Sequence, residues 1–325
     1  MKPRILVTQK VLDPALELLR SVGTVELNPN PDRILPREEL IEAVRRNEYL
    51  FCLLTNKIDA EVMDANPGLR IIADMAVGYD NVDVKAATVR KIPVTNTPGV
   101  LTDTTADQAW ALLMAVARRT VEADRFVRDG KWTAWGPLMM LGTDVHGKTI
   151  GIVGMGRIGQ AVARRARGFG MTVLYHNRNR VDPALEAELG ARHVSFEELL
   201  RESDFVSINC PYSPATHHLF SHQSFAAMKR AAFLVNASRG PIVDERALVA
   251  ALQTGEIKGA GLDVFEREPA VEPELLEMGN VVLAPHLGSA TYETRTKMAL
   301  VAANNIVAVI RGERPPNVVN PEIYG

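Results

Sequence analysis

From one end to the other, the chain alternates short β-branched runs with amphipathic stretches of helical period, the pattern of parallel sheets whose crossovers are helices. Arg4 to Thr8, Thr24 to Leu27, Tyr49 to Leu54, Arg70 to Met75 and Ile92 to Thr95 read as five strands, with helices expected between them, for example over Asp13 to Arg20 and Arg37 to Arg46. A second series starts at Thr149: Thr149 to Val153, Thr172 to His176, Phe205 to Asn209, Ala232 to Asn236, Gly259 to Val264 and Asn280 to Ala284. Six strands suffice for a doubly wound sheet. The helices of this series include one with Ser195 and Glu198 in capping-box spacing and one opening at Asp244.

A chain of 325 residues is expected to form two domains. Because the second sheet begins near residue 149, the first five strands need a domain of their own. The last helix, about Ala290 to Arg311, lies beyond the final strand and is placed with that first domain. The expected division is 1–98 plus 289–325 for one domain and 99–288 for the other, inserted into it. Crossings near Pro98-Gly99 and Gly288 would then make a hinge over a cleft. One long amphipathic stretch is read over Thr102 to Arg128. The connector after it, Gly130 to Gly147, holds Trp132, Trp135 and the run Leu138-Met139-Met140-Leu141, an apolar density that suits a partner surface.

Composition narrows the partners. With 37 basic and 39 acidic side chains, the formal charge of −2 leaves no global field for a polyanion, so nucleic acid is not expected and a small substrate is. Hydrophobic residues at 46 % and charged residues at 23 % are the balance of an ordinary globular protein. The two cysteines, Cys52 and Cys210, sit in apolar runs and read as buried thiols of a reducing interior. The start is too short in apolar residues for a signal peptide, and no window is long enough for a membrane span, so a cytoplasmic location is expected. His217, His218 and His222 lack a carboxylate or Cys at ligand spacing, and no metal site is expected. Ser238 lacks the Gly-x-Ser-x-Gly setting of a nucleophile elbow.

Gly154-Met155-Gly156-Arg157-Ile158-Gly159 follows the run Ile150 to Val153 and opens a helical stretch, Gln160 to Arg167. Glycines at this spacing point to a dinucleotide only between a strand and a helix, and both neighbours are present. Gly154 permits the tight turn, Gly156 lets a pyrophosphate approach the backbone, and Gly159 lets helix and strand pack, with the helix N-terminus facing the anion. An NAD site usually carries Asp or Glu after the next strand. Here Thr172 to His176 ends in Asn177-Arg178-Asn179-Arg180, with no carboxylate before Asp182. Asn and Arg donate to a 2′-phosphate that a carboxylate would repel, so NADP(H) is the expected preference, with Arg178 and Arg180 on the phosphate. Use of NAD(H) without its acidic anchor stays open. Further cofactor contacts are expected at neighbouring strand ends: Cys210 and Pro211, Ala237, Ser238 and Arg239, Asp263, His286 and Gly288. For Asp263, the alternatives are the nicotinamide carboxamide and a simple cap on the strand end.

Three strands run into polar turns: Asn236-Ala237-Ser238-Arg239-Gly240, the segment Asp263 to Pro269, and Pro285-His286-Leu287-Gly288. Open α/β sheets bind ligands at such carboxyl ends, so Arg239, Glu268 and His286 are expected on one edge. Together with Gly154 to Gly159, these motifs resemble those of the D-isomer-specific 2-hydroxyacid dehydrogenases over essentially the whole chain. Within that family the sequence is most similar to the glyoxylate/hydroxypyruvate reductases, with the 2-ketogluconate reductases close, partly through Leu141 to Thr149 and Asn177-Arg178. The resemblance implies an α/β protein of two doubly wound domains, a Rossmann dinucleotide-binding domain inserted in a flavodoxin-like substrate domain. It implies that Arg239 binds the substrate, that His286 is the acid/base and that Glu268 is its partner. It also matches Ala76 to Asp83 with the loop whose amides, near Val77 and Gly78, hold the substrate carboxylate. Leu53 and Trp135 are candidate pocket residues, the latter reaching, by resemblance, a partner subunit's cleft in a homodimer.

The residue types suit these roles. A fixed guanidinium holds a 2-oxoacid carboxylate, an imidazolium protonates the carbonyl oxygen as hydride arrives, and a carboxylate favours the imidazolium. The expected activity is NADPH-dependent reduction of glyoxylate and hydroxypyruvate. A 2-ketogluconate reductase is the alternative enzyme, and a nucleotide-binding regulator on the same fold is the alternative from another class.

Overall fold

The computed structural model describes residues 2–28, 30 and 32–325. The chain divides into two compact units, Met1–Leu101 with Ala290–Gly325, and Thr102–Ser289. The divisions thus fall at Leu101/Thr102 and Ser289/Ala290, where the expectation drew them at 98/99 and 288/289. The first shift has a local cause: a helix starts at Thr102, so the residues before it stay with the preceding loop.

In the first unit, β1 (Arg4–Val7), β2 (Thr24–Leu27), β3 (Tyr49–Cys52), β4 (Ile71–Asp74) and β5 (Val94–Thr95) form a parallel sheet in the order β2-β1-β3-β4-β5. Every residue of β3 and β4 is buried, as expected of central strands covered on both faces. The helix Tyr292–Ile310 packs on the helix Asp13–Val22 and on β3 and β4, which brings the C-terminal tail to this sheet. Asn320 fastens the tail: its Oδ1 accepts from the Val94 N–H at 2.9 Å, and its Nδ2 donates to the Ile92 carbonyl at 3.0 Å.

The second unit holds a seven-stranded parallel sheet in the order β12-β11-β10-β9-β6-β7-β8. Its strands are β6 (Thr149–Val153), β7 (Thr172–His176), β8 (Ala191–His193), β9 (Phe205–Ile208), β10 (Phe233–Asn236), β11 (Gly259–Leu262) and β12 (Val281–Leu283). Successive residues of β10 enter opposite cores. Phe233 and Val235 pack with the helices Thr102–Ala117 and Arg157–Gly168, whereas Leu234 packs on the other face beside Leu248 and Phe225. With both faces apolar, the strands read as continuous hydrophobic runs. The strand order reverses between β6 and β9, which makes the carboxyl end of β6 the switch point where such sheets bind ligands.

Two expectations need correction. The sheet has seven strands where six were read; β8 is three residues long and its Arg192 and His193 carry no apolar signal. The stretch Thr102 to Arg128 is two helices, Thr102–Ala117 and Thr120–Arg128, separated by Arg119 at φ 54°. The Ala117 carbonyl is capped by the Thr143 N–H at 2.8 Å, so the returning connector stops the first helix. The amphipathic period runs on through the break and conceals it.

Replacing Asn320 by Ala removes the acceptor of a buried N–H and the donor to a buried carbonyl. Urea denaturation is expected to show a loss of about 1–3 kcal/mol. An unchanged midpoint would mean that helix packing alone holds the tail.

Candidate active site

The glycine-rich turn is shaped by close packing. Gly154 has φ +98°, and a Cβ there would stand 2.4 Å from the Cys210 nitrogen; one on Gly159 would stand 2.1 Å from the Gly154 carbonyl oxygen. Gly156, by contrast, faces open space, with nothing within 4 Å of its added Cβ. It caps the Arg157–Gly168 helix without any side-chain hydrogen bond, so the first-turn amides face that space uncovered. A small cradle of backbone donors at a helix N-terminus fits a dinucleotide pyrophosphate. Arg157 is exposed and Ile158 half-buried at this turn, while Cys210 and Pro211 adjoin it, the Cys210 carbonyl accepting from Ser238 Oγ at 2.5 Å. Burial pushes the Cys210 thiol up to about 11, which keeps it protonated and inert.

At the end of β7, Asn177 turns inward. Its Oδ1 accepts from the Met155 N–H at 3.1 Å, tying this turn to the glycine-rich one. Arg178 and Asn179 are exposed and make no hydrogen bond to the described residues. Arg180 differs from the expectation: its Nε and Nη2 donate to the two carboxylate oxygens of Glu186 at 2.8 and 2.6 Å. Nε and Nη2 of Arg180 are committed to that pair, which leaves Arg178 as the arginine of this turn without a partner among the described residues.

Arg239, Glu268 and His286 follow the ends of β10, β11 and β12. His286 Nδ1 lies 2.8 Å from Glu268 Oε2, and Glu268 Oε1 accepts from the Phe265 N–H at 3.1 Å. Burial raises the Glu268 carboxyl, but the bond to His286, its charge, the Phe265 amide and the charge of Arg239 outweigh it, and the net shift is downward. The carboxylate is therefore ionised throughout the neutral range. Arg239 is half-buried, with Nη1 donating to the Ser238 carbonyl at 2.9 Å; Ala237 and Ser238 are half-buried beside it.

His286 has φ 56°, a left-handed conformation that costs energy in a non-glycine residue and needs support. Asp263 supplies it. This carboxylate is fully buried, and its oxygens accept from the Leu287 and Gly288 N–H groups at 2.7 Å each, with Gln108 Nε2 at 3.4 Å. The Asp263 carbonyl also accepts from the His286 N–H at 2.8 Å. Burial raises the Asp263 carboxyl against these bonds. Asp263 thus holds the turn that follows β12. Gln108 was not anticipated, because nothing in a helical run marks one amide as facing a turn far along the chain.

In the first unit, Leu53 is half-buried just past β3, its carbonyl accepting from Asn81 Nδ2 at 3.3 Å. The N–H groups of Val77 and Gly78 donate to no acceptor among the described residues, while Asn96 Nδ2 holds the Val77 carbonyl at 2.8 Å. A turn with free donors suits a carboxylate. Trp135 is 77 % exposed on the second unit's connector, with Trp132 and Leu138 exposed beside it. The histidine cluster finds a carboxylate after all: Glu266 Oε1 lies 2.9 Å from His218 Nε2. Among the described residues no group of three or more His, Cys, Asp or Glu is arranged to hold a metal ion.

The sequence profile of the D-isomer specific 2-hydroxyacid dehydrogenase NAD binding domain matches residues 110–288. A glyoxylate reductase of Korarchaeum cryptofilum is 55 % identical, over 99 % of this chain and 97 % of its own, and one of Thermococcus kodakarensis is 53 % identical, over 99 % and 98 %. Among solved structures, a Thermus thermophilus protein superposes with a TM-score of 0.92 at 48 % identity, covering 97 % of this chain and 99 % of its own. An NADPH-dependent glyoxylate/hydroxypyruvate reductase of Sinorhizobium meliloti, in complex with NADP and malonate, superposes with a TM-score of 0.87 at 35 % identity, covering 98 % and 97 %. Two parallel-sheet α/β units, a Rossmann turn and the Arg, Glu and His on successive strand ends are those of a dehydrogenase. The chain belongs to the D-isomer specific 2-hydroxyacid dehydrogenase family.

Replacing Asp263 by Ala leaves the buried Gly288 N–H without an acceptor, at about 1–3 kcal/mol, removes that of the half-buried Leu287 N–H, and frees His286 from its strained backbone. Turnover is expected to fall by about tenfold or more in a steady-state assay. Wild-type turnover would show that the loop holds its shape unaided.

Proposed function

We propose that the protein reduces small 2-oxoacids, glyoxylate and hydroxypyruvate first, to glycolate and D-glycerate, with a preference for NADPH. The observation that carries this reading is the Glu268–His286 pair, with Arg239 close enough to bias the Glu268 carboxyl, in a chain 55 % identical to a glyoxylate reductase. A nicotinamide cofactor held at the Gly154–Gly159 turn supplies the hydride. We assign the substrate carboxylate to the Arg239 guanidinium. Arg239 also stabilises negative charge growing on the carbonyl oxygen. His286 Nε2 gives its proton to that oxygen, forming the hydroxyl, while Glu268 on Nδ1 orients the ring and stabilises the imidazolium. Preference for NADPH is supported by the exposed, unpaired Arg178 and by the absence of a carboxylate before Asp182. The nicotinamide-loop contacts of Ala237, Ser238 and Gly288 belong to the same reading.

A panel of 2-oxoacids assayed with both cofactors tests it. Glyoxylate and hydroxypyruvate are expected to give the highest kcat/KM, and NADPH a KM about tenfold or more below that of NADH, the size of effect one phosphate–guanidinium contact supplies. A higher kcat/KM for 2-ketogluconate would instead assign the longer substrate. NADPH oxidation at background with every oxoacid would favour the regulatory alternative.

The pH dependence has a definite sign. Reduction consumes the imidazolium form, so kcat/KM is expected to hold on the acid side of neutrality, where Glu268 stays ionised, and to fall as pH rises. Glu268→Gln removes the anion that favours the imidazolium. The variant is expected to lose about tenfold or more in kcat/KM and to lack the acid-side fall that protonation of Glu268 gives the wild type, read from kcat/KM against pH. An unchanged profile would separate Glu268 from the proton transfer.

A further inference from the structure

The turn after β7 is held at both ends and open in the middle. At its start, Asn177 Oδ1 accepts from Met155 N–H, and the Asn177 carbonyl lies 3.3 Å from His193 Nε2. At its end, Arg180 donates twice to Glu186. Glu186 belongs to the helix Pro183–Leu189 and is itself buried, although it is a carboxylate. What makes that burial tolerable is a second donor: the hydroxyl of Tyr175, a fully buried β7 residue, reaches Glu186 Oε1 at 2.5 Å. The same hydroxyl accepts from the Val181 N–H at 3.1 Å, so strand, turn and helix meet at one point. Arg180 and Tyr175 hold the Glu186 carboxyl down to about 2, so its pair with Arg180 is ionic at neutral pH.

Only Arg178 and Asn179 lie between the two anchors, both exposed. A two-residue span pinned at each end has little freedom, so the direction of the Arg178 side chain depends on where Arg180 is held. We propose that Tyr175, Glu186 and Arg180 form a clamp that presents Arg178 to the 2′-phosphate of NADPH, making Glu186 a positioning residue for cofactor preference. Glu186 acts through Arg180 and Tyr175. It has a further effect: a carboxylate at this turn, left unpaired, would repel the phosphate, and the bidentate pair with Arg180 neutralises it. The inference rests on the NADPH preference proposed above.

The test compares Glu186→Gln, Tyr175→Phe, Arg180→Ala and the double variant Glu186→Gln/Arg180→Ala with the wild type, using KM and kcat for NADPH and NADH with saturating glyoxylate. Each single variant is expected to raise the KM for NADPH by about fivefold to tenfold while kcat and the KM for NADH stay within about twofold. The double variant is expected to be no worse than the worse single one, because one clamp is broken once. Tyr175→Phe guards the result against a folding defect, since it removes one oxygen and keeps the ring. Three outcomes overturn the proposal. A lower KM for NADPH in Glu186→Gln would mean that Arg180, once released, is itself a phosphate ligand. Parallel rises for NADPH and NADH would reduce the clamp to general support of the fold, and an unchanged ratio in all variants would remove it altogether. Failure of the underlying reading looks different, because the wild type would then prefer NADH before any substitution is made.

Discussion

The buried carboxylate of Asp263 is the constraint on which the catalytic arrangement depends. Its oxygens take the N–H groups of Leu287 and Gly288, and its carbonyl takes that of His286, so one residue at the end of β11 fixes the turn after β12. His286 can then sit at φ 56°, a conformation that its own backbone disfavours, and meet Glu268 from the same β11 turn. His286 and Glu268 are thus built on two neighbouring strands that are parallel and in register, Leu262 against Leu283. Without the register of the sheet, the residues between Asp263 and His286 would place them anywhere.

The near-neutral charge of the chain conceals a division of labour among its arginines. Many are engaged in surface pairs such as Arg37 with Asp59, which contribute little to stability. Arg180 is absorbed as well, in a pair whose carboxylate is buried. On the function proposed above, Arg178 at one strand end meets a phosphate and Arg239 at another a carboxylate. The same physical point governs both: a guanidinium discriminates only when something else fixes where it is held.

Much of the fold was legible because both sheets are covered on two faces. Continuous apolar runs such as Phe233 to Val235 read as strands directly, and the Gly154–Gly159 turn announced itself by a strand before it and a helix after it. Two things were not legible. The strand Ala191–His193 is three residues long and two of them are polar, so its pairing with β7 comes from position alone. The break at Arg119 lies inside an unbroken helical period, and what ends the helix is a bond from Thr143 in a returning loop.

The sequence by itself determined the residue types and the strand ends on which they fall: three glycines at a turn, Arg239, Glu268 and His286 after successive strands, and no carboxylate where NAD would want one. These are local properties, set by spacing and by the period of the chain. Only the tertiary structure decided which of these groups remain available and which are engaged elsewhere. It gave Arg180 to Glu186, both Asp263 oxygens to backbone amides, and Glu266 to His218, through contacts between residues of separate elements. Hydrogen-bond partners are chosen by distance in space, and a linear pattern carries no record of them.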